Sequence, residues 1–186
     1  MEESAPHVGP GPGDQQAPGP QAADQTFGLL WGIKSSFAGY VGRMPDGRSV
    51  LEAGARSLDA GRIVFPPLRS AWRTTLDNAE ERFWEFGGSV CFSGHFGMLH
   101  VLIASPTITV RDGIGEMSVA DPFATESGER LVLANLTLQA QPAPPGLLIW
   151  TSTEVRMSPQ AGELFNDVYQ AGEPFDPLTL VLPDRG

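Results

Sequence analysis

The stretch ERFWEFGGSVCFSGHFGMLHVLIASPTITV (81–110) decides the fold of this chain. Its aromatic and aliphatic residues are grouped in short runs of strand length, and glycine, serine and proline separate the runs. We interpret residues 81–97 as one or two strands with a kink or bulge at Gly87-Gly88, because glycines inside a strand pattern are typical of such irregularities. The stretch therefore predicts β-structure.

Short strands continue on both sides of this stretch. Residues 98–104 and 107–110 are predicted to form a hairpin across Ser105-Pro106. Further apolar runs of strand length are separated by Gly- and Pro-rich turns, and the run at 61–67 is expected to stop at two prolines. These further predicted strands lie at 26–34, 61–67, 116–123, 130–139 and 147–157.

Two short helices are predicted among the strands. Ser35 and Ser36 are good N-cap residues, and Phe37, Tyr40 and Val41 then follow at helical spacing. A second helix is expected from Ser158, with Pro159 at its first position, an apolar stripe, and Gly172 past its end. The stripe consists of Ala161, Leu164, Phe165 and Val168. The predicted fold is mostly β, an antiparallel β-sandwich or distorted barrel with two short helices.

Composition limits the kind of partner and the compartment. The net charge is −10, from 22 acidic and 12 basic residues, which argues against nucleic acid or an anionic membrane surface as partner. The sequence has no run of 18 apolar residues and no signal-peptide pattern, so we expect no membrane insertion. A cytoplasmic location is expected; a secreted protein trimmed of its signal would have the same sequence.

Residues 1–26 differ in composition from the rest of the chain. They contain five prolines, four glycines and four acidic residues, with no Lys or Arg. Such a segment has too little apolar surface to offset the entropy lost on ordering. It is predicted to be a disordered acidic tail, and residues 27–186 are predicted to form one domain.

Motifs of common enzyme classes do not occur in the sequence. A thiol nucleophile formed by Cys91 and His95 is one alternative, but residues four apart on a strand are separated by about 13 Å. Cys91 is therefore interpreted as a small core residue. His95 lies between glycines in SGHFG, which permit close approach of a ligand, although composition alone favours a structural role for it. His100 lies in an apolar strand and is interpreted as structural.

Three separated blocks carry a resemblance to a known family. They are LLWGIKSSFAGYV (29–41), FGGSVCFSGHFGMLHVLIASPTITV (86–110) and FNDVYQAGEPFDPLTLVLP (165–183). In order and spacing, they resemble the strongest blocks of the HtaA domain, found in haem-uptake proteins of actinobacteria. The resemblance covers about residues 27–183.

The resemblance implies a binding site for ferric haem b. The tyrosine that ligates the iron is matched by Tyr40, and the histidine that hydrogen-bonds its phenol is matched by His95. Tyr169, with Phe165 beside it, matches the aromatic residues that pack near the haem, and Ser35 and Ser36 lie where the propionates would be held. Apolar walls would come from Phe37, Phe96 and Met98. Without the resemblance, Tyr40 would be interpreted as a core aromatic residue of the helix.

The chemistry of iron agrees with the implied ligand. An ordinary phenol has a pKa near 10, so it has to lose its proton to become an anionic donor, and the hard Fe(III) ion favours that form. A histidine bonded to the phenol oxygen can take up the displaced proton and orient the ring. Because an anionic donor favours Fe(III) over Fe(II), reduction is expected to weaken the bond.

Two classes of function follow from the same site. The first is a binding module for intracellular haem storage, buffering or transfer, with a haem donor or acceptor protein as partner. The second is a haem-dependent enzyme acting on peroxide or a small molecule, since tyrosinate is also the axial ligand of catalases. Family members in haem uptake carry export signals and often anchors or tandem copies. Because no such feature is recognised in this sequence, we expect the domain to be used inside the cell. A second copy of the chain, forming a homodimer, is a further alternative for the partner.

Overall fold

The computed structural model describes residues 26–75, 79–111 and 113–184. All of the predicted tail except Thr26 lies outside the described residues. The described residues contain one α-helix, four 3-10 turns and fifteen strands. The strands are β1 (Gly28–Trp31), β2 (Arg48–Glu52), β3 (Arg56–Ser57), β4 (Ile63–Phe65), β5 (Pro67–Thr74), β6 (Glu80–Phe86), β7 (Ser89–Gly94), β8 (Leu99–Ala104), β9 (Thr107–Arg111), β10 (Ile114–Ala120), β11 (Arg130–Leu136), β12 (Gln139–Gln141), β13 (Leu147–Ser152), β14 (Val155–Met157) and β15 (Leu178–Pro183).

The strands form three sheets in which all pairs are antiparallel. The first sheet has the order β12-β13-β15-β1-β4-β3, and the second has the order β14-β11-β10-β9-β6-β5. A smaller third sheet has the order β2-β7-β8. Within the part of the chain that the structure describes, no sheet closes into a barrel. The predicted antiparallel β-sandwich is confirmed.

A single apolar core joins the sheets. Trp31 and Phe65 of the first sheet are fully buried, as are Ile108 of the second and Ile103 of the third. These side chains belong to one cluster of buried residues. Burying an apolar side chain stabilises the fold by about 1.5–3 kcal/mol, so this shared core holds the three sheets together.

The predicted hairpin across Ser105-Pro106 is wrong. Strand β8 pairs with β7, whereas β9 pairs with β6 and β10. The chain instead passes from the third sheet to the second at Ser105, whose N–H donates to the carbonyl of Gly88 at 2.9 Å. Gly88 has a φ of +89°. The chain thus bends between β6 and β7 and again between β8 and β9, and a hydrogen bond joins the two bends. The kink predicted at Gly87-Gly88 is confirmed.

The first predicted helix is confirmed, and the second is shorter than predicted. Helix α1 spans Ser35–Gly42 and buries Phe37 and Val41. At the second predicted helix, Ser158 caps a 3-10 turn and accepts from the N–H of Ala161. A second 3-10 turn, Glu163–Phe165, ends at Asn166 and Asp167, both of which have positive φ. The helix therefore does not continue to Gly172. Among the described residues, no helix is long and apolar enough to cross a membrane.

Candidate functional site

Tyr40 is presented to solvent by helix α1. The helix packs Phe37 and Val41 into the core and leaves Tyr40 at the edge of this buried face, with 43% of its surface exposed. Asp176 anchors the start of the helix, because its two carboxylate oxygens accept from the N–H and hydroxyl of Ser35 at 3.0 and 3.1 Å. A carboxylate at a helix N-terminus is also favoured by the helix dipole. Asp176 thereby fixes the position of Tyr40.

His95 lies in the turn between β7 and β8. His95, Phe96 and Gly97 all have positive φ, at 50°, 54° and 92°, a conformation that non-glycine residues rarely adopt. Asp46 supports the turn, since its carboxylate accepts from the N–H of Phe96 at 2.5 Å. This hydrogen bond is the main reason that the pKa of Asp46 is lowered, and the charge of His95 adds to it.

The side chains of Tyr40 and His95 meet directly. The Tyr40 hydroxyl lies 2.6 Å from Nε2 of His95, a distance typical of a strong hydrogen bond. Nε2 accepts from the phenol when the neutral imidazole carries its proton on Nδ1. The structure therefore brings a proton donor and a proton acceptor together, 55 residues apart in sequence.

A cleft of about 600 Å³ opens beside this pair. Its volume is within the range of small-molecule sites, roughly 300–1,000 Å³. We call it the Tyr40 cleft. Its lining is mainly apolar and aromatic and consists of Phe37, Tyr40, His95, Met98, Leu99, Phe165, Asn166, Val168 and Tyr169.

Aromatic rings form the floor of the Tyr40 cleft. The ring of Phe37 lies edge-on to those of Phe92 and Phe165, with centroids 5.2 and 5.3 Å apart. Phe165 in turn contacts Tyr169 at 5.7 Å. Such edge-to-face pairs contribute about 0.5–1.5 kcal/mol each. These contacts pack the aromatic side chains of the floor against one another.

Tyr169 is held by a neighbouring charged pair. The Lys34 ammonium lies 4.6 Å from the centroid of the Tyr169 ring and 3.5 Å from the carboxylate of Glu173. It also donates to the carbonyl of Pro174 at 2.9 Å. Burial raises the pKa of Tyr169, and the negative charge of Glu173 raises it further. Both effects disfavour ionisation of the Tyr169 phenol.

The other predicted site residues lie outside the cleft lining. Phe96 is 92% exposed in the turn next to His95. Ser35 bonds to Asp176, so its hydroxyl is already engaged. Ser36 is exposed on α1, one helical turn before Tyr40. Of the two serines, Ser36 is better placed to reach a group bound at Tyr40.

Cys91 and His100 form a separate contact on the third sheet. The Cys91 sulfur lies 3.6 Å from Nδ1 of His100. Cys91 is half-buried and His100 is exposed, so the interpretation of Cys91 as a core residue is wrong. Burial raises the pKa of the Cys91 thiol, and the charge of Glu52 raises it further. A raised pKa disfavours the reactive thiolate.

The comparison with known families matches these features. A model of the HtaA family matches residues 26–181. The chain belongs to the HtaA family. Its members are domains related to haem uptake. No curated protein sequence matches this HtaA domain.

Solved structures of HtaA from Corynebacterium glutamicum are similar to this domain. The crystal structure of its C-terminal domain has a TM-score of 0.66 and 25% identity, covering 83% of this chain and 94% of that one. The N-terminal domain of the same protein has a TM-score of 0.61 and 23% identity, covering 84% and 96%. A domain-swapped dimer of the H434A variant of the C-terminal domain has a TM-score of 0.58 and 25% identity, covering 88% and 96%.

Proposed function

We propose that this HtaA domain binds ferric haem b in the Tyr40 cleft, with the phenolate of Tyr40 as the iron ligand. The observation that carries the proposal is the 2.6 Å contact between the Tyr40 hydroxyl and His95 at an aromatic cleft of about 600 Å³. An anionic oxygen donor fits the hard Fe(III) ion. The apolar floor fits the porphyrin, so the residues present suit the group.

The two tyrosines of the cleft differ in their suitability as ligand. Tyr169 is partly buried beside Glu173, and both effects raise its pKa. Tyr40 is more exposed, and its hydroxyl has a direct acceptor in His95. Because ligation requires loss of the phenol proton, these surroundings favour Tyr40. Tyr169 would instead supply an aromatic ring for the macrocycle to pack against.

His95 acts through the oxygen of Tyr40. In the free protein its Nε2 accepts the phenol hydrogen bond, and on ligation it takes up the displaced proton. The resulting imidazolium then donates to the phenolate oxygen. A charge-assisted hydrogen bond of this kind is stronger than a neutral one, so His95 lowers the free energy of the ligated state.

We further propose that the haem is cargo, held for storage, buffering or transfer. Tyr40, Met98 and Val168 line the cleft and are exposed. The same side chains that would contact the haem are therefore accessible to a donor or acceptor protein. The cytoplasmic location stays a prediction. Peroxide turnover by the haem complex would instead support the enzyme alternative.

The test compares two conservative variants in a haem titration. Tyr40→Phe keeps the ring but removes the ligand oxygen, and Tyr169→Phe is the matched control. We expect Tyr40→Phe to lose most of its affinity for ferric haem, while Tyr169→Phe keeps an affinity close to that of the unmodified domain. Equal affinity of Tyr40→Phe and the unmodified domain would contradict the proposal.

A further inference from the structure

A second cleft lies between the first and second sheets. It has a volume of about 480 Å³ and shares no lining residue with the Tyr40 cleft. We call it the Trp72 cleft. Three of the four tryptophans of the chain line it, and its described lining consists of Trp72, Ala79, Glu80, Arg82, Trp84, Val110, Gly113, Leu138 and Trp150.

Arg82 lies among the indole rings of this cleft. It is paired with Trp72 across β5 and β6, and directly opposite residues of two paired strands share one face of the sheet. Its guanidinium carbon lies 3.0 Å from the centroid of the Trp72 ring and 5.2 Å from that of Trp150. Trp150 also contacts Trp84 at 5.9 Å. The guanidinium is thereby held by aromatic groups.

Within the described residues, the guanidinium N–H groups of Arg82 have no hydrogen-bond acceptor. Arg69 and Arg73 of the same sheet form ion pairs with Glu85 and Glu81. Arg82 has no such acceptor among residues 26–75, 79–111 and 113–184, although the charge of Glu80 attracts it. Burial lowers the pKa of Arg82. A guanidinium has five donors arranged to bind a carboxylate in a bidentate manner.

We propose that the Trp72 cleft is a second binding site of this domain and takes a small aromatic carboxylate. The ring system of the ligand packs against Trp72, Trp84 and the apolar side chains beside them. Its carboxylate accepts from the N–H groups of Arg82. The 59% exposure of Trp72 leaves an indole surface available for this contact. Burying that surface against an aromatic ring is favourable.

The negative charge of the domain means that an anionic ligand can bind only where a local cation offsets the repulsion. The chain has a net charge of −10, so an anion is repelled by the protein as a whole and needs a local cation to bind. Arg82 supplies that cation among indole rings, where a charged hydrogen bond is stronger than in water, and Glu80 is the carboxylate of the same lining. A neutral aromatic ligand would gain only the indole contacts.

The experiment uses 2-naphthoate and its neutral analogue 2-naphthamide, measured by isothermal titration calorimetry on the whole chain. We expect 2-naphthoate to bind about ten- to a hundredfold more tightly than 2-naphthamide, because only the carboxylate forms charge-assisted hydrogen bonds. Arg82→Gln should reduce the affinity for 2-naphthoate to that of the amide. If Arg82→Gln fails to fold, Arg82→Lys takes its place. Because it keeps the charge, it should retain part of the affinity for 2-naphthoate.

Two control variants test whether 2-naphthoate binds at Arg82 rather than elsewhere on the domain. Arg69→Gln removes an arginine that lies over Phe83 but is already paired with Glu85, and it should leave 2-naphthoate binding unchanged. Tyr40→Phe should also leave it unchanged, because the two clefts share no residue. No binding to the intact domain, equal affinity for the amide, or loss of binding in Tyr40→Phe would overturn the proposal.

Discussion

The geometry of the Tyr40 cleft depends on single side chains that do not line it. Asp176 holds the start of the helix that carries Tyr40. Asp46 holds the turn that carries His95. Lys34 holds Tyr169 through its ring and through Glu173. Supporting residues of this kind fix the orientation of a ligand, and their loss commonly costs affinity.

His95→Ala tests the division of roles at the iron. If His95 acts through Tyr40, the variant should keep a tyrosinate ligand but bind ferric haem about ten- to a hundredfold more weakly. That range corresponds to losing one charge-assisted hydrogen bond, about 1.5–3 kcal/mol. The measurement is a haem titration followed by absorption spectroscopy. The control is His100→Ala, which replaces an exposed histidine beside Cys91. This variant should change neither the affinity for haem nor the absorption spectrum.

Two results of the His95→Ala titration would contradict this role. Unchanged affinity would show that His95 takes no part in binding. A complete change in the ligand set of the iron would show that His95 is itself a ligand.

Asp46 provides a prediction with a pH dependence. Asp46→Ala removes the acceptor for the Phe96 N–H, so His95 should be less well positioned and haem binding should weaken. Asp46→Asn keeps an acceptor oxygen and should bind haem almost normally. The pKa of Asp46 is lowered by folding, so its contribution to stability is present above its ordinary pKa of about 3.9 and is lost as the pH falls further.

Acid unfolding of the haem-free protein measures this contribution. The free energy of unfolding of Asp46→Asn should fall less steeply below about pH 4 than that of the unmodified domain. Identical acid limbs for the two proteins would show that Asp46 does not stabilise the turn through its charge.

The residues of the site were predictable to different extents. The family blocks predicted Tyr40, His95, Phe165 and Tyr169, and the structure brings these four side chains to one cleft. Asp46 and Lys34 were missed, because their partners lie 50 and 140 residues away in sequence. No local pattern marks such a contact. For the same reason, the hydrogen bonds between Ser35 and Asp176 were not predictable. They leave Ser36 as the better candidate for holding a haem propionate.

At the scale of elements, the kink between β6 and β7 places the turn that carries His95. Gly88 has a φ of +89°, and a Cβ there would lie 2.8 Å from the Cβ of Ala55. Gly88→Ala should therefore destabilise the fold by about 2–5 kcal/mol, from backbone strain and overpacking together. Gly61→Ala is the matched control: its φ is +73°, and within the described residues nothing lies within 4 Å of its Cβ.

Chemical denaturation of both glycine variants separates the two effects. Gly61→Ala should cost only the backbone strain, about 1–2 kcal/mol. Equal losses of stability in the two variants would mean that the close approach of Ala55 to the kink has no energetic consequence.

Elements were harder to predict where their ends depend on other parts of the molecule. The second predicted helix ends at Asn166 and Asp167 because both adopt positive φ, whereas the apolar stripe continues to Val168. Strand β5 was missed because it begins at the second of two consecutive prolines and most of its residues are exposed. Pro67 is tolerated there because the strand is at the edge of its sheet. By contrast, β8, β9 and β11 lie on apolar runs that were predicted as strands. Strand β15 was not predicted, although buried and half-buried residues alternate along it.

At the scale of the whole molecule, the proposed release of haem from the Tyr40 cleft can be tested through the oxidation state of the iron. Tyrosinate stabilises Fe(III) relative to Fe(II), so reduction should weaken the bond to the iron. We therefore expect dithionite to speed the transfer of haem to apomyoglobin, followed by absorption spectroscopy. Equal or slower transfer after reduction would indicate a neutral ligand such as His95.

The central claim is that the Tyr40 phenolate binds the iron, and resonance Raman spectroscopy of the ferric haem complex tests it most directly. The chain has only two tyrosines, so ring-deuterated tyrosine labels Tyr40 and Tyr169 alone. We predict tyrosinate bands that shift on deuteration, persist in Tyr169→Phe and disappear in Tyr40→Phe. Bands that persist in Tyr40→Phe, or a spectrum of the unmodified complex without any deuteration-sensitive band, would contradict the assignment of Tyr40 as the ligand.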